Sequence, residues 1–201
     1  MKLFHFQLLL LLILLSCKPG KDASAASASP ERETFRIAFG SCNDTGRGNL
    51  LWDDILALDP DLWIWGGDNV YADTAEKEKL REYYAELKKV PGYSRLKAAT
   101  PVIGTWDDHD YGLNDGGAEF TAREVSQQEF MDFMDVPADS PRRQREGIYA
   151  SHTYRHGKGS VKILVLDTRC FRTALREDPT GDKRYLPHTD TSVIVSNVAV
   201  F

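Results

Sequence analysis

Polar and apolar positions alternate over residues 34–39 (Thr-Phe-Arg-Ile-Ala-Phe), which predicts a strand running into the turn-forming run Gly40-Ser41-Cys42-Asn43-Asp44. Leu50, Leu51, Ile55 and Leu58 then recur at helical spacing, and Asp59-Pro60 ends that helix. The next run, Leu62-Trp63-Ile64-Trp65, is apolar without interruption. Such a run fits a strand covered on both faces, and it breaks at Gly66-Gly67-Asp68-Asn69-Val70-Tyr71. Residues 75–90 predict a second helix with a stripe of Leu80, Tyr83, Tyr84 and Leu87, closed by Pro91-Gly92. A third strand over 102–106 leads into Trp106-Asp107-Asp108-His109-Asp110-Tyr111-Gly112-Leu113-Asn114-Asp115. Residues 121–134 read as a helix with Val125, Phe130, Phe133 and Met134 inward. Two further strands, 148–154 and 161–166, pair through the turn His156-Gly157-Lys158-Gly159.

Strands alternating with helices predict an α/β fold with a parallel sheet. Each of the first three strands ends in polar, metal-competent residues. In an open α/β sheet the carboxyl edge is where ligands bind, so Cys42, Asp68 and the acidic decapeptide are expected side by side. At 201 residues with 42% hydrophobic content, the chain buries one sizeable core. A formal charge of -5 argues against binding a nucleic-acid backbone, and the short cluster Arg142-Arg143-Gln144-Arg145 reads as a solvated face or helix end.

The N-terminus has the pattern of an export signal: Lys2, an apolar run from Leu8 to Leu15, then Ser16-Cys17. The run is far short of the ~20 residues of a spanning helix. A small residue before Cys17 is similar to a bacterial lipobox, so residues 1–17 are expected to be a signal peptide with a lipidated Cys17, the alternative being cleavage and secretion. Residues 18–33, rich in Ala and Ser, read as a disordered tether of roughly 20–24 Å r.m.s. span. The folded domain is expected over 34–201.

The decapeptide from Trp106 to Asp115 crowds four carboxylates, an imidazole and an amide. Like charges so close raise one another's pKa and cost folding free energy unless a cation or a firm hydrogen-bond network neutralises them. Cys42, Asp68, Tyr71, Asp108 and His109 together offer thiolate, carboxylate, phenolate and imidazole. Thiolate and phenolate suit iron, and carboxylate oxygens suit calcium, magnesium or manganese. An EF-hand is set aside because Gly112 and Leu113 stand where its fifth and sixth positions require Asp or Asn and Gly. Cys17, Cys42 and Cys170 lack zinc-finger spacing, and a disulfide between Cys42 and Cys170 is the lesser expectation. Asp107 and Asp110 read as supporting or capping groups, Asn114 as a turn residue and Arg169 as a strand-end ion-pair partner. His152, His156 and His188 read as surface residues.

Gly40-Ser41-Cys42, Gly67-Asp68-Asn69-Val70-Tyr71, the decapeptide from Trp106 to Asp115, and Leu166-Asp167-Thr168-Arg169 together resemble PhoD-like alkaline phosphatases and phosphodiesterases of the calcineurin-like metallophosphoesterase superfamily. The resemblance covers residues 34 to about 172. It implies the N-terminal part of an α/β/β/α sandwich and hydrolysis of small phosphate mono- or diesters. The implied cofactors are iron and calcium in a binuclear or larger cluster, with manganese or zinc as alternatives. By motif matching, Cys42 and Tyr71 would bind iron, Asp68 would bridge, and Asp108 would stand in place of the Asn of the superfamily's Gly-Asn-His-Asp/Glu motif. His109 would contact phosphate and protonate the leaving alkoxide.

The superfamily supplies further His ligands from later loops, whereas only His188 follows Arg169 here. The expectation is therefore a domain incomplete at its C-terminus, ending in the apolar stretch 191–201. A metal- or phosphate-binding module held at a membrane surface by its lipid, without turnover, is the alternative.

Overall fold

The computed structural model of the chain describes residues 33–48 and 50–188. The expected signal peptide with Cys17, the tether up to residue 32 and the apolar stretch 191–201 lie outside the described residues. Three parallel strands organise the rest: β1 (Ile37–Gly40), β2 (Leu62–Gly66) and β3 (Val102–Thr105), side by side in that order. Ile37 lies opposite Leu62 and Gly40 opposite Trp65, while Trp63 lies opposite Val102 and Gly66 opposite Thr105. Their carboxyl ends share one edge, as the hydrophobic pattern requires.

Parallel neighbours need crossovers, and helices supply them. α1 (Trp52–Ala57) joins β1 to β2, and α2 (Lys77–Lys89) with α3 (Pro91–Ala99) joins β2 to β3. Pro91 follows the end of α2, as expected, and also occupies the first turn of α3. Its fixed φ and missing N–H suit that position, so the chain turns at an extended Val90 and resumes helix.

β2 alternates across the sheet. Trp63 and Trp65 point into a core with Trp52, Tyr93, Leu96 and Phe133 on the helix side. Leu62 and Ile64 face the other way and pack with Ile103 against Val165, Tyr154 and Ile163. Those last residues belong to an antiparallel hairpin, β4 (Ala150–His156) and β5 (Gly159–Val165), which covers the second face of the sheet. The fold is mixed α/β, layered as helices, parallel sheet and hairpin.

Of the stripe expected on α1, only Ile55 packs against the core. Leu50, Leu51 and Leu58 are exposed, and Trp52 at 3% exposure anchors the helix. The helix begins only at Trp52, so Leu50 and Leu51 precede its regular face, and one indole buries more apolar surface than either leucine. Trp52 packs 5.5 Å from the rings of both Trp63 and Tyr93. Gly92 makes this contact sterically feasible, because a Cβ there would sit 2.3 Å from that of Trp52.

After β3, the acidic decapeptide opens a one-turn helix, α4 (Asp108–Tyr111), and α5 (Arg123–Phe133) follows, with Phe130, Met131 and Phe133 buried. A short pair, β6 (Arg176–Glu177) and β7 (Tyr185–Leu186), lies beyond the hairpin. Among the described residues no helix is long and apolar enough to cross a membrane.

Candidate metal centre

The loops after β1, β2 and β3 are laced together by backbone hydrogen bonds. Cys42 N–H donates to the Gly67 carbonyl at 3.1 Å and Asn43 N–H to that of Asp68 at 2.8 Å. The N–H groups of Ala72 and Asp73 both donate to the His109 carbonyl, at 3.3 and 3.0 Å. Gly67 permits one of the close approaches. Its φ is +107°, and a Cβ there would lie 2.6 Å from that of Asp107. Cys42, Asp68 and Asp73 hold φ values of 54°, 50° and 43°, which cost side-chain-bearing residues of order 1–3 kcal/mol and concentrate at functional sites.

Asp110 is the hub of this arrangement. Fully buried, its carboxylate accepts from the backbone N–H groups of Asp68 (3.2 Å), Asn69 (3.3 Å) and Asp107 (2.7 Å), and from the Asn69 amide at 2.6 Å. Burial pushes its pKa up to about 8, while the N–H donors from Asp107 and Asn69 pull against that rise. One carboxylate thus ties the loop after β2 to the loop after β3.

The four expected ligands, Cys42, Asp68, Tyr71 and Asp108, and the expected catalytic His109 lie together. Donor atoms of Asp68, Asp108 and His109 lie within 4.8 Å of one another. Cys42 Sγ is 3.7 Å from Asp68 Oδ2, and the Tyr71 ring lies 4.3 Å from that of His109. The Tyr71 phenol is pushed up to about 12 by burial first, then by Cys42 and Asp68, so it holds its proton until a cation competes for the oxygen.

Asp107, Asp108 and Asp115 each have an arginine nearby, whereas among the described residues Asp68 has no countercharge at hydrogen-bonding range. Asp107 pairs with Arg169, and Asp115 pairs with Arg184 and accepts from the Tyr185 hydroxyl at 2.6 Å. Asp108 accepts the Asp115 N–H at 2.7 Å and has Arg169 at 3.7 Å. Burial pushes Asp108 upward, but that N–H, Arg169 and His109 outweigh it and hold the carboxyl below its usual value. Among the described residues Asp68, 7% exposed, accepts only the His109 N–H at 3.4 Å and the Cys42 thiol. Burial, then the charges of Asp107 and Asp108, raise its pKa. A nearly buried carboxylate so weakly compensated is costly, and a cation there would relieve it. The donor set fits one: hard carboxylate oxygens from Asp68 and Asp108, with the softer thiol of Cys42 on the opposite side of Asp68.

Asp73, which the motif reading passed over, completes the site. Its carboxylate meets His109 Nδ1 at 2.8 and 2.9 Å, leaving Nε2 to face outward as an acceptor or, when protonated, a donor. Burial lowers the His109 pKa, but Asp73, Asp68 and Asp108 overcome it and the net value is raised. The signal for Asp73 was spacing alone, five residues beyond Asp68 in the same loop.

Other expectations need correction. His156 is half-buried against Phe35, ring centroids 5.7 Å apart, and His152 is half-buried too, so both are less open to solvent than the surface positions expected of them. Cys42 and Cys170 are both free thiols, Cys42 exposed and Cys170 buried. Arg169 forms the ion pair expected of it. Comparison with protein-family models, curated proteins and solved structures finds no match for this chain.

Proposed function

We propose that this protein hydrolyses phosphate mono- or diesters with the help of metal ions held by Cys42, Asp68, Tyr71 and Asp108, as the motif resemblance implies. The observation that carries the reading is the buried Asp68 carboxylate, lacking a countercharge at hydrogen-bonding range, with Cys42, Asp108 and His109 gathered around it. Iron and calcium are the proposed cofactors, with manganese or zinc as alternatives. Bound there, they would supply positive charge and Lewis acidity to a phosphoryl group.

The chain's own residues have separable tasks in this reading. Asp68, in contact with Cys42 and with the Asp108–His109 turn, would hold the cations together with them. Cys42 and Tyr71 offer the soft and phenolic donors. His109, fixed by Asp73 through Nδ1, presents Nε2 to the phosphoryl oxygens and delivers a proton to the departing alkoxide. The proposal extends to the fold, the helix, sheet and hairpin layers being the first part of an α/β/β/α sandwich. It also extends to location: an exported chain, lipid-anchored through Cys17 to a membrane surface or secreted.

A second reading rests on the small size of the cluster. Among the described residues only Asp68, Asp108 and His109 bring donors within 4.8 Å, enough to hold one cation. A module that binds metal or phosphate without turnover follows from that.

Elemental analysis of the purified chain, with hydrolysis of a chromogenic phosphodiester measured in the same samples, separates the two. Iron and calcium lost together with activity in Cys42→Ala and Asp68→Asn uphold the hydrolase. Stoichiometric metal with no turnover upholds the binding module, and a chain that takes up neither metal nor inorganic phosphate refutes both.

A further inference from the structure

The cluster Arg142-Arg143-Gln144-Arg145 lies at the end of a short 3-10 helix, Pro141–Arg143, one of the two readings its sequence allows, but it is not a fully solvated face, because all three arginines are half-buried beside the start of β4. Arg143 is fully engaged. It pairs with Asp132 at 2.7 Å, bonds Gln128 Oε1 at 3.2 Å and reaches the carbonyls of Val136 and Pro137. Arg142 and Arg145 are engaged only in part. Arg142 donates one side-chain hydrogen bond, to the Ile148 carbonyl at 3.1 Å. Arg145 donates one to the Tyr149 carbonyl and lies over the Tyr149 ring, 3.7 Å from its centroid. Among the described residues neither meets a carboxylate, and the buried Nε of each has no hydrogen-bond partner.

These two residues line a recess of about 350 Å³ together with Pro141, Ala150, Ser151 and His152. No acidic side chain lines it. Burial, then the charges of Arg145 and Arg143, holds the Arg142 pKa below its ordinary value, and burial with the Arg142 charge does the same to His152. In a chain of net charge -5 this is a concentration of uncompensated positive charge in a partly desolvated place. Burying charge without a partner is costly, and an anion in the recess would offset that cost.

We propose that this recess binds a phosphomonoester group, its oxygens gripped by the guanidinium groups of Arg142 and Arg145 with the His152 imidazole beside them and Ser151 at the rim. Two uncompensated guanidinium charges match a dianion, whereas one carboxylate would neutralise only half of them. Planar guanidinium forks also suit the geometry of phosphate oxygens. None of the four residues belongs to the group around Asp68, so the site stands whether or not the metal-centre reading does. The phosphomonoester comes either from a small soluble molecule or from a lipid headgroup.

The test uses the full chain, stripped with EDTA so that no metal-bound phosphate contributes, and titrated with inorganic phosphate against chloride of matched ionic strength. Saturable amide shifts at Arg142, Arg145, Ser151 and His152 in 15N-1H spectra are expected. Arg142→Gln and Arg145→Gln should each weaken binding about tenfold. Absence of saturable shifts at these amides overturns the proposal, as does unchanged affinity in both variants. Should either variant lose its native circular dichroism, the doubly substituted Ser151→Ala, His152→Gln chain decides: weakened binding upholds the site and unchanged affinity sinks it. Cosedimentation with phosphatidylcholine vesicles containing phosphatidic acid, competed by inorganic phosphate, assigns the lipid source. Phosphate binding without cosedimentation assigns the soluble one.

Discussion

His109 Nδ1 lies 2.8 Å from Oδ2 of Asp73, a residue in a different loop whose own φ is 43°. The pair fixes the imidazole plane and the tautomer, and it raises the His109 pKa against the opposing effect of burial. In the metal-free protein, Asp73→Asn is expected to lower that pKa, read from the imidazole proton shift against pH. The sign for stability follows. A raised folded-state pKa contributes stability that is complete below the unfolded value of about 6.5 and is lost as pH rises through the folded value. Asp73→Asn should therefore cost stability at pH 5 and little at pH 9. A His109 titration unmoved by the substitution contradicts the assignment. If turnover is found, the same variant should reduce kcat about 10²-fold or more.

Asp68→Asn should act oppositely on stability and on ligation. The carboxyl is raised by burial and by Asp107 and Asp108, so in the metal-free chain its contribution is lost as pH rises through the folded-state pKa. Replacing it with a neutral isostere should leave the metal-free protein at least as stable as wild type at pH 8. Wild type should gain about 2.7 kcal/mol with a cation at one hundred times its Kd, and the variant should gain none. Thermal melts with and without metal measure both. A variant that still responds to metal shows that Asp68 is not a ligand.

Trp52 and the leucines around it should separate sharply. Trp52→Ala opens a cavity between α1, β2 and α3 and is expected to cost about 3–5 kcal/mol. Leu50→Ser and Leu58→Ser, at exposed positions, should stay within about 0.5 kcal/mol of wild type. Urea denaturation of the three variants decides it, and equal losses would restore the leucine stripe as the buried face.

Gly67→Ala asks whether the loop lacing matters for ligation. The added methyl meets Asp107 in a backbone conformation that alanine rarely adopts, at a cost of order 1–3 kcal/mol. The chain should still fold but bind metal more weakly, as isothermal titration would show. Unaltered metal affinity would mean that the loops after β2 and β3 are positioned by other contacts.

The strands that matter were legible because their residues alternate or run apolar between strong breakers, and parallel pairing then left Cys42, Asp68 and Asp108 no choice of edge. What escaped was decided by contacts between distant segments. The burial of Trp52 depends on a glycine forty residues away, Gly92, so no helical period could single it out from Leu51 or Leu58. Asp73 carries no pattern of its own, and only the fold brings it to His109. Arg142 and Arg145 look like any basic run until the hairpin closes over them. Pro91 ends α2 as its sequence predicts, and what escaped is α3 beginning there, since proline stops a helix and starts one with the same fixed φ.

The Asp110 carboxylate has a consequence for anyone transplanting this site. It accepts from both the Gly67–Asn69 turn and Asp107, so neither loop carries its geometry alone. Grafted singly onto another sheet, the first loop would bring buried N–H groups with no acceptor, and the second a buried carboxylate with too few donors. The two loops form one exchangeable cassette, and the residue that makes them so is one the proposal assigns neither cation nor substrate.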